Sequence, residues 1–341
     1  DDYPFKVVRY SSVDGGKNIG YRIGNPLSPF CFNRVAKEKL DIIHVHSPFT
    51  AALFARMIRQ YKKIPIVFTY HTKFDIDLEK RVGLAQIKNA SVKLILNNIN
   101  ACDEVWVVSE GAGENLRSLG YTGEYRVMEN GTDFVRGRSH PDRVAKLREH
   151  YNIGDEPVFL FVGRMMWYKN TKFTLDALAE AKRAGMRFKM FWVGEGVDRS
   201  EMIDYAQAQG IGDECIFTGA IRDRELLREY FTMADLFLFP STYDTNGLVV
   251  REAAACDCPS LVIEGSCASE GLKHMQNGIL IPEKVEDYVK TLLHAAEHRG
   301  DLRLIGERAG REIYLSWDDA VRKAYQRYEE IVEEQRYKRK K

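Results

Sequence analysis

Val158-Phe159-Leu160-Phe161-Val162-Gly163-Arg164-Met165-Met166-Trp167-Tyr168-Lys169-Asn170 opens as five apolar residues, breaks at a glycine, and then carries two cations through a short loop. The residues that follow, 171–184, repeat apolar positions at helical spacing and end before Gly185, a residue that suits a helix C-terminus. A strand that is apolar along its whole length is covered on both faces. Feeding straight into a helix, it is the repeating unit of a parallel sheet.

The unit recurs in both directions. Beyond it, apolar runs at 188–193, 215–218, 236–239, 260–263 and 279–281 predict strands, with helices over about 200–209, 224–233, 248–255 and 285–298. Ahead of it, strands are predicted at 42–46, 66–71, 104–108 and 125–128, with helical stretches at 50–61, 77–101 and 111–119. The polar stretch 131–156 between the arrays reads as a connector plus one helix. Two successive arrays predict an α/β protein of two facing Rossmann-like domains, 1–134 and 155–312, with the cleft between them as the ligand site. Residues 313–341 form a third piece. A helix over 317–334 carries the stripe Ala320, Ala324, Tyr328, Ile331 and is expected to pack back toward the first domain. Its basic end, Arg336 with Lys338 to Lys341, is either solvated or a weak contact for an anionic membrane.

The chain opens at Asp1-Asp2-Tyr3 and enters almost at once an apolar run predicted as a strand at 5–10, as if inside a domain. The expectation is that the first domain's N-terminal strand and loop precede residue 1.

Composition excludes some classes of partner. The formal net charge is +1, so no overall field draws nucleic acid, and no apolar run is long enough to span a bilayer. The six cysteines are scattered, and Cys256-Asp257-Cys258 is too tight for a C-x-x-C site. Inert thiols in a reducing cytoplasm are expected.

Two loops carry the chemistry. Strand C-terminal ends face the ligand crevice in such sheets, so Arg164 and Lys169 are a candidate phosphate clamp, a planar fork and a point charge. A solvated loop is the alternative. The second loop is Pro240-Ser241-Thr242-Tyr243-Asp244-Thr245-Asn246-Gly247-Leu248, leading into a helix that carries Glu252. The helix N-terminus at Gly247-Leu248 is an anion site, and a side chain-free Gly247 lets a phosphate approach the backbone. Glu252 lies among small apolar residues, where a carboxylate needs a partner such as ribose hydroxyls unless it faces solvent. His71 ends a strand and is either a core histidine or a hydrogen-bonding group at a ligand; His44 and His46 read as structural. Gly194-Glu195-Gly196 lacks the third glycine of a dinucleotide fingerprint, since position 199 is arginine.

Together the two loops resemble those of the retaining GT-B glycosyltransferases of the family 4 type. In that family a G-R-x4-K loop clamps the diphosphate, and an E-x7-E motif with F/N-G-L inside it holds sugar and ribose. Here the first is Gly163-Arg164 through Lys169. The second is Asp244 to Glu252 enclosing Asn246-Gly247-Leu248, with aspartate in place of the first glutamate. Further segments resemble family motifs in the same order: Asp41-Ile42-Ile43-His44-Val45-His46-Ser47, Tyr70-His71-Thr72, Val108-Ser109-Glu110, Glu129-Asn130-Gly131-Thr132-Asp133, Val193-Gly194-Glu195-Gly196 and Phe217-Thr218-Gly219.

The resemblance implies a hexosyltransferase that moves a sugar from a nucleoside diphosphate, UDP first with GDP or ADP open, to an acceptor with retention. It implies catalytic roles for Arg164, Lys169, His71 and Asp244. It implies substrate contacts from Gly163, Asn246, Gly247, Leu248, Glu252, Gly194, Ala220 and Ile221, with no metal and no cofactor beyond the donor. The acceptor is a sugar, a lipid or another small molecule; the neighbourhood of His71-Thr72-Lys73-Phe74 resembles enzymes acting on diacylglycerol lipids. No nucleic-acid partner is implied. The location implied is cytoplasmic, with peripheral contact at the inner membrane face. A nucleotide-sugar-binding fragment without turnover and a UDP-sugar epimerase of the same fold are the alternatives.

Overall fold

The computed structural model describes residues 3–9, 11–14, 22–73 and 85–340. It divides into two compact units, Asp1–Glu129 with Val321–Lys341, and Asn130–Ala320.

In the first unit, a short hairpin pairs β1 (Ser12–Asp14) antiparallel with β2 (Arg22–Gly24). Helix α1 (Pro29–Ala36) follows, started by Ser28, whose hydroxyl accepts from the Cys31 N–H, and by Pro29 at its first position. The predicted strand at 5–10 is not formed over 5–9, and Tyr10 lies outside the described residues. Phe5 and Val7 find no strand partner there and stay exposed. Four parallel strands in chain order then make the sheet: β3 (Ile43–Val45), β4 (Ile66–Tyr70), β5 (Glu104–Val107) and β6 (Arg126–Val127). Between them run α2 (Thr50–Lys62), α3 (Ala85–Asn100) and α4 (Glu110–Ser118). The 77–84 part of the predicted helix before β5 lies outside the described residues.

Alternate residues of these strands face opposite layers, which is why the runs are apolar throughout. Phe68, Tyr70, Val105 and Val107 pack with Ala52 and Ala55 of α2. Val67 and Trp106 pack on the other face against Ile331 and Tyr328 of the last helix, α12 (Trp317–Lys340). Tyr328 stacks on Trp106 at 5.2 Å between ring centroids, and Arg327 grips both oxygens of Glu104 at 3.0 and 3.1 Å. The basic end is a continuation of this helix as far as Lys340, with Arg336 paired to Asp41 at 3.1 Å.

The second unit begins with α5 (Pro141–His150) and holds one six-stranded parallel sheet: β7 (Val158–Val162), β8 (Lys189–Val193), β9 (Cys215–Gly219), β10 (Leu236–Phe239), β11 (Ser260–Ile263) and β12 (Ile279–Ile281). The helices are α6 (Thr171–Arg183), α7 (Arg199–Ala208), α8 (Arg224–Met233), α9 (Leu248–Ala255), α10 (Val285–Glu297) and α11 (Arg299–Glu312). The spatial order is β12-β11-β10-β7-β8-β9. The chain builds outward from β7 to β9, returns, and builds the other way from β10 to β12. Adjacent β7 and β10 therefore send their following loops apart, which opens a crevice at their C-terminal ends. Phe159, Phe161, Phe191, Trp192, Phe237 and Phe239 fill the sheet's two faces, all of them buried. A large aromatic core of this kind holds the strand ends, and hence the loops, in fixed positions.

Candidate active site

The loop after β7 is shaped by its neighbour. The Gly163 N–H donates to the Val193 carbonyl at 3.0 Å and the Met165 N–H to the Glu195 carbonyl at 3.0 Å. The two backbones lie so close that a Cβ on Gly194 would stand 1.9 Å from the Gly163 oxygen, and one on Gly196 2.0 Å from the Met165 oxygen. Gly194 also has φ +144°, and its N–H reaches the Gly219 carbonyl at 2.9 Å. The V-G-x-G glycines thus have a packing cause that spacing alone does not reveal. Asp198 fixes the far side of the loop by accepting from the Trp167 N–H at 2.8 Å. One 3₁₀ turn, Trp167–Lys169, then delivers Lys169 inward, and left-handed Asn170 starts α6.

Lys169 is buried and forms an ion pair with Asp244 from the loop after β10. The rings of Tyr168, Phe239 and Tyr243 surround its ammonium, each centroid 5.9 Å away. The second oxygen of Asp244 is buried without a hydrogen-bond partner among the described residues. Arg164 is exposed and makes no hydrogen bond or ion pair among them. The loop therefore presents one sequestered cation and one free one.

Gly247 caps α9 in the left-handed conformation, φ +60°, with no side-chain bond to the helix end. A Cβ there would press on Ala268 at 2.7 Å, so both conformation and space call for glycine. Leu248 opens the helix, leaving first-turn N–H groups directed out of its N-terminus beside Asn246 and Asp244. Glu252 follows on the same helix and is buried.

The partner of Glu252 is Arg224, the first residue of α8, at 2.8 Å. The same guanidinium pairs with Asp133 and lies over the Phe134 ring, 4.1 Å from its centroid. Burial raises the Glu252 carboxyl above its ordinary range. Arg224 draws it back, and Asp133 pushes it up again. Sequence reading missed Arg224. Its partners lie 28 and 91 residues away, and the one local cue is that an arginine directly follows the helix-capping Asp223.

Ala220 and Ile221 stand after β9, two strands from β7, Ala220 exposed and Ile221 half-buried against the core. His71 belongs to the first unit, at the end of β4. Its Nε2 lies 2.9 Å from His46 Nδ1, while His44 bonds Thr69 at 2.7 Å and also reaches the Tyr328 hydroxyl. Burial first, then the neighbouring imidazoles, lower His44 to about 3 and His71 to about 4. Phe74 lies outside the described residues. All six cysteines are free, and burial pushes the Cys215 and Cys256 thiols up to about 12. Among the described residues, no group of three His, Cys, Asp or Glu is placed to hold a metal, and no helix is long and apolar enough to cross a membrane.

Solved structures with this architecture are GT-B glycosyltransferases. One, Anabaena Alr3699/HepE in complex with UDP, superposes with a TM-score of 0.75 over 88% of this chain and 82% of its own, at 18% identity. The chain has the GT-B fold. The model of glycosyl transferases group 1 matches residues 144–311 and that of glycosyltransferase family 4 matches residues 3–136. The chain belongs to this family, the group 1 glycosyltransferases of family 4. It is 29% identical to an alpha-monoglucosyldiacylglycerol synthase of Streptococcus pneumoniae over 66% of its length, and 28% identical to sulfoquinovosyl transferase SQD2 of Arabidopsis thaliana over 84%. These alignments span only 52% and 56% of the two relatives.

Proposed function

We propose that this protein transfers a hexosyl group from a UDP-sugar to a lipid hydroxyl, with retention at the anomeric carbon. The observation that carries the reading is the convergence of Lys169, Asp244 and the α9 N-terminus on the sheet's switch point, with Glu252 buried on the same helix. A diphosphate leaving group needs positive charge and N–H donors where its own charge grows. Lys169, Arg164 and the amides around Gly247-Leu248 supply them, and Gly163 and Asn246 border the same space. The free oxygen of Asp244 accepts from a sugar hydroxyl and Glu252 from the ribose. Gly194, Ala220 and Ile221 edge the base, and His71 hydrogen-bonds the sugar.

In the reaction the bond from the anomeric carbon to the β-phosphate oxygen breaks, the acceptor oxygen bonds to that carbon, and the acceptor's proton passes to the departing diphosphate. No metal and no dedicated protein base is assigned. UDP is supported by the UDP complex of the HepE neighbour, and a diacylglycerol-type acceptor by the likeness to the pneumococcal alpha-monoglucosyldiacylglycerol synthase. Such an acceptor and the basic end of α12 support work at the cytoplasmic face of a membrane. The test is UDP release from UDP-glucose with a panel of diacylglycerol and sugar acceptors. Release in step with a glycosylated product is expected, and Arg164→Ala or Lys169→Ala should lower kcat/KM at least about tenfold. UDP-glucose binding without release on any acceptor would reject turnover.

A further inference from the structure

The connector between Phe134 and α5, together with α8, borders an open recess of about 360 Å³ that none of the proposed donor residues lines. Its lining carries Arg136, Arg138, Arg143 and Arg228, with His140 beside them and no lysine; the one lining carboxylate, Glu225, lies 3.5 Å from Arg228, and Asp257, outside the lining, is within electrostatic reach of Arg136 and Arg138.

The floor is fixed in advance. Buried Arg228 donates to the carbonyls of Val135 at 2.6 Å and Gly137 at 2.8 Å. The Gly137 N–H reaches the Ala255 carbonyl at 2.7 Å, and the Ser139 N–H reaches the Thr232 hydroxyl at 2.9 Å. Gly137 has φ +137°, a conformation that a side chain would strain.

The rim is exposed and largely unspent. Each guanidinium has five N–H donors. Arg138 gives one bond to the Thr232 carbonyl at 2.7 Å, and Arg143 pairs with Glu229 at 2.7 Å. Arg136 makes no hydrogen bond or ion pair among the described residues. Clustered like charges repel, and an anion in their midst relieves the repulsion. Planar forks around a rigid floor match phosphate oxygens, which they bind in pairs.

We propose that this recess binds a phosphate group other than the donor's diphosphate, carried by a phosphorylated small molecule or by a lipid headgroup. The full chain, saturated with UDP, is titrated calorimetrically with inorganic pyrophosphate. In parallel it is sedimented with phosphatidylcholine vesicles containing phosphatidylglycerol. The expected result is one pyrophosphate bound beside UDP, with the Arg136→Gln/Arg138→Gln double variant at least about tenfold weaker for pyrophosphate and unchanged for UDP. Unchanged UDP affinity also reports that the variant is folded. Absence of the pyrophosphate event, with vesicle binding lost in the double variant, supports the site and assigns the phosphate to a lipid. Equal binding by both proteins, or no binding in either arm, overturns it. If UDP itself does not bind, the donor reading fails on its own, and both arms run without UDP still decide the recess.

Discussion

Lys169, from the loop after β7, and Asp244, from the loop after β10, form an ion pair across the point where the strand order of the second sheet reverses. The lysine side chain is only 9% exposed, so deleting one partner leaves the other uncompensated. The two deletions should therefore part company. Lys169→Ala removes the proposed clamp and strands Asp244; UDP affinity should fall at least about tenfold and the melting temperature should drop. Asp244→Asn should free the lysine for the diphosphate it is proposed to clamp. UDP affinity should hold or rise, while kcat for UDP-hexose falls about tenfold or more. Calorimetry with UDP and steady-state kinetics separate these outcomes; an equal loss of UDP affinity in both variants would count against the division of roles.

Arg224 draws the buried Glu252 carboxyl back toward its ionised form. Burial favours the protonated carboxyl and the 2.8 Å guanidinium opposes it. In the proposed role, a protonated Glu252 no longer offers a carboxylate to ribose hydroxyls, so nucleotide affinity should fall as pH drops through its pKa. Without Arg224 that pKa rises further, and the loss should move to higher pH. Arg224→Ala is thus expected to lose UDP affinity at a higher pH than wild type as the buffer is taken from alkaline to acidic, by at least about tenfold at the pH where the two differ most. Arg224→Lys should restore much of the wild-type profile. Parallel pH profiles for Arg224→Ala and wild type would show that the arginine is merely structural.

What the sequence discloses is what local physics determines. Strands buried on both faces announce themselves as unbroken apolar runs, and the ten predicted from 42–46 to 279–281 all form, within a residue or two of their expected ends. Helix α11 is a different case. Much of its length is charged, and Gly306 and Gly310 interrupt the pattern. A Cβ on Gly306 would meet the Asp257 carbonyl at 2.1 Å, so the glycine serves a close helix approach that no window of sequence displays. The Lys169–Asp244 pair and the Arg224–Glu252–Asp133 cluster join distant segments, and only the strand order brings them together. Motif resemblance reached Lys169, Asp244 and Glu252, but not the arginine that holds the last of them.

The first unit should show its own pH dependence. His44 and His71, held at about 3 and about 4 by burial and by neighbouring imidazoles, stay neutral in the folded protein near neutrality. Unfolding restores an ordinary value near 6.5. Because the folded values are lowered, their contribution to stability is complete above about pH 6.5 and is lost as pH falls toward the folded values. Each histidine adds up to about 1.4 kcal/mol per pH unit to the slope in that interval. Denaturant unfolding of His44→Gln between about pH 4 and pH 6.5 should have a shallower slope than wild type. An unchanged slope would mean that His44 does not titrate on unfolding.

Two glycines in the second unit separate steric from conformational demand. Gly185 ends α6 at φ +94°, and a Cβ added there would have nothing within 4 Å, so Gly185→Ala meets only backbone strain, on the order of 1 kcal/mol. Gly194 has φ +144°, and its Cβ would lie 1.9 Å from the Gly163 carbonyl oxygen. Gly194→Ala must push the β7 loop away, breaking the Gly163 N–H bond to Val193 and displacing Lys169. We expect a loss of stability of about 3 kcal/mol, the upper end of the usual cost of overpacking, together with UDP affinity reduced more than about tenfold. Gly185→Ala should leave UDP binding untouched. Calorimetric melting and UDP titration of both variants check this. Comparable melting temperatures in the two would show that the loops can separate at little cost, and that the glycine at 194 is not there to let them touch.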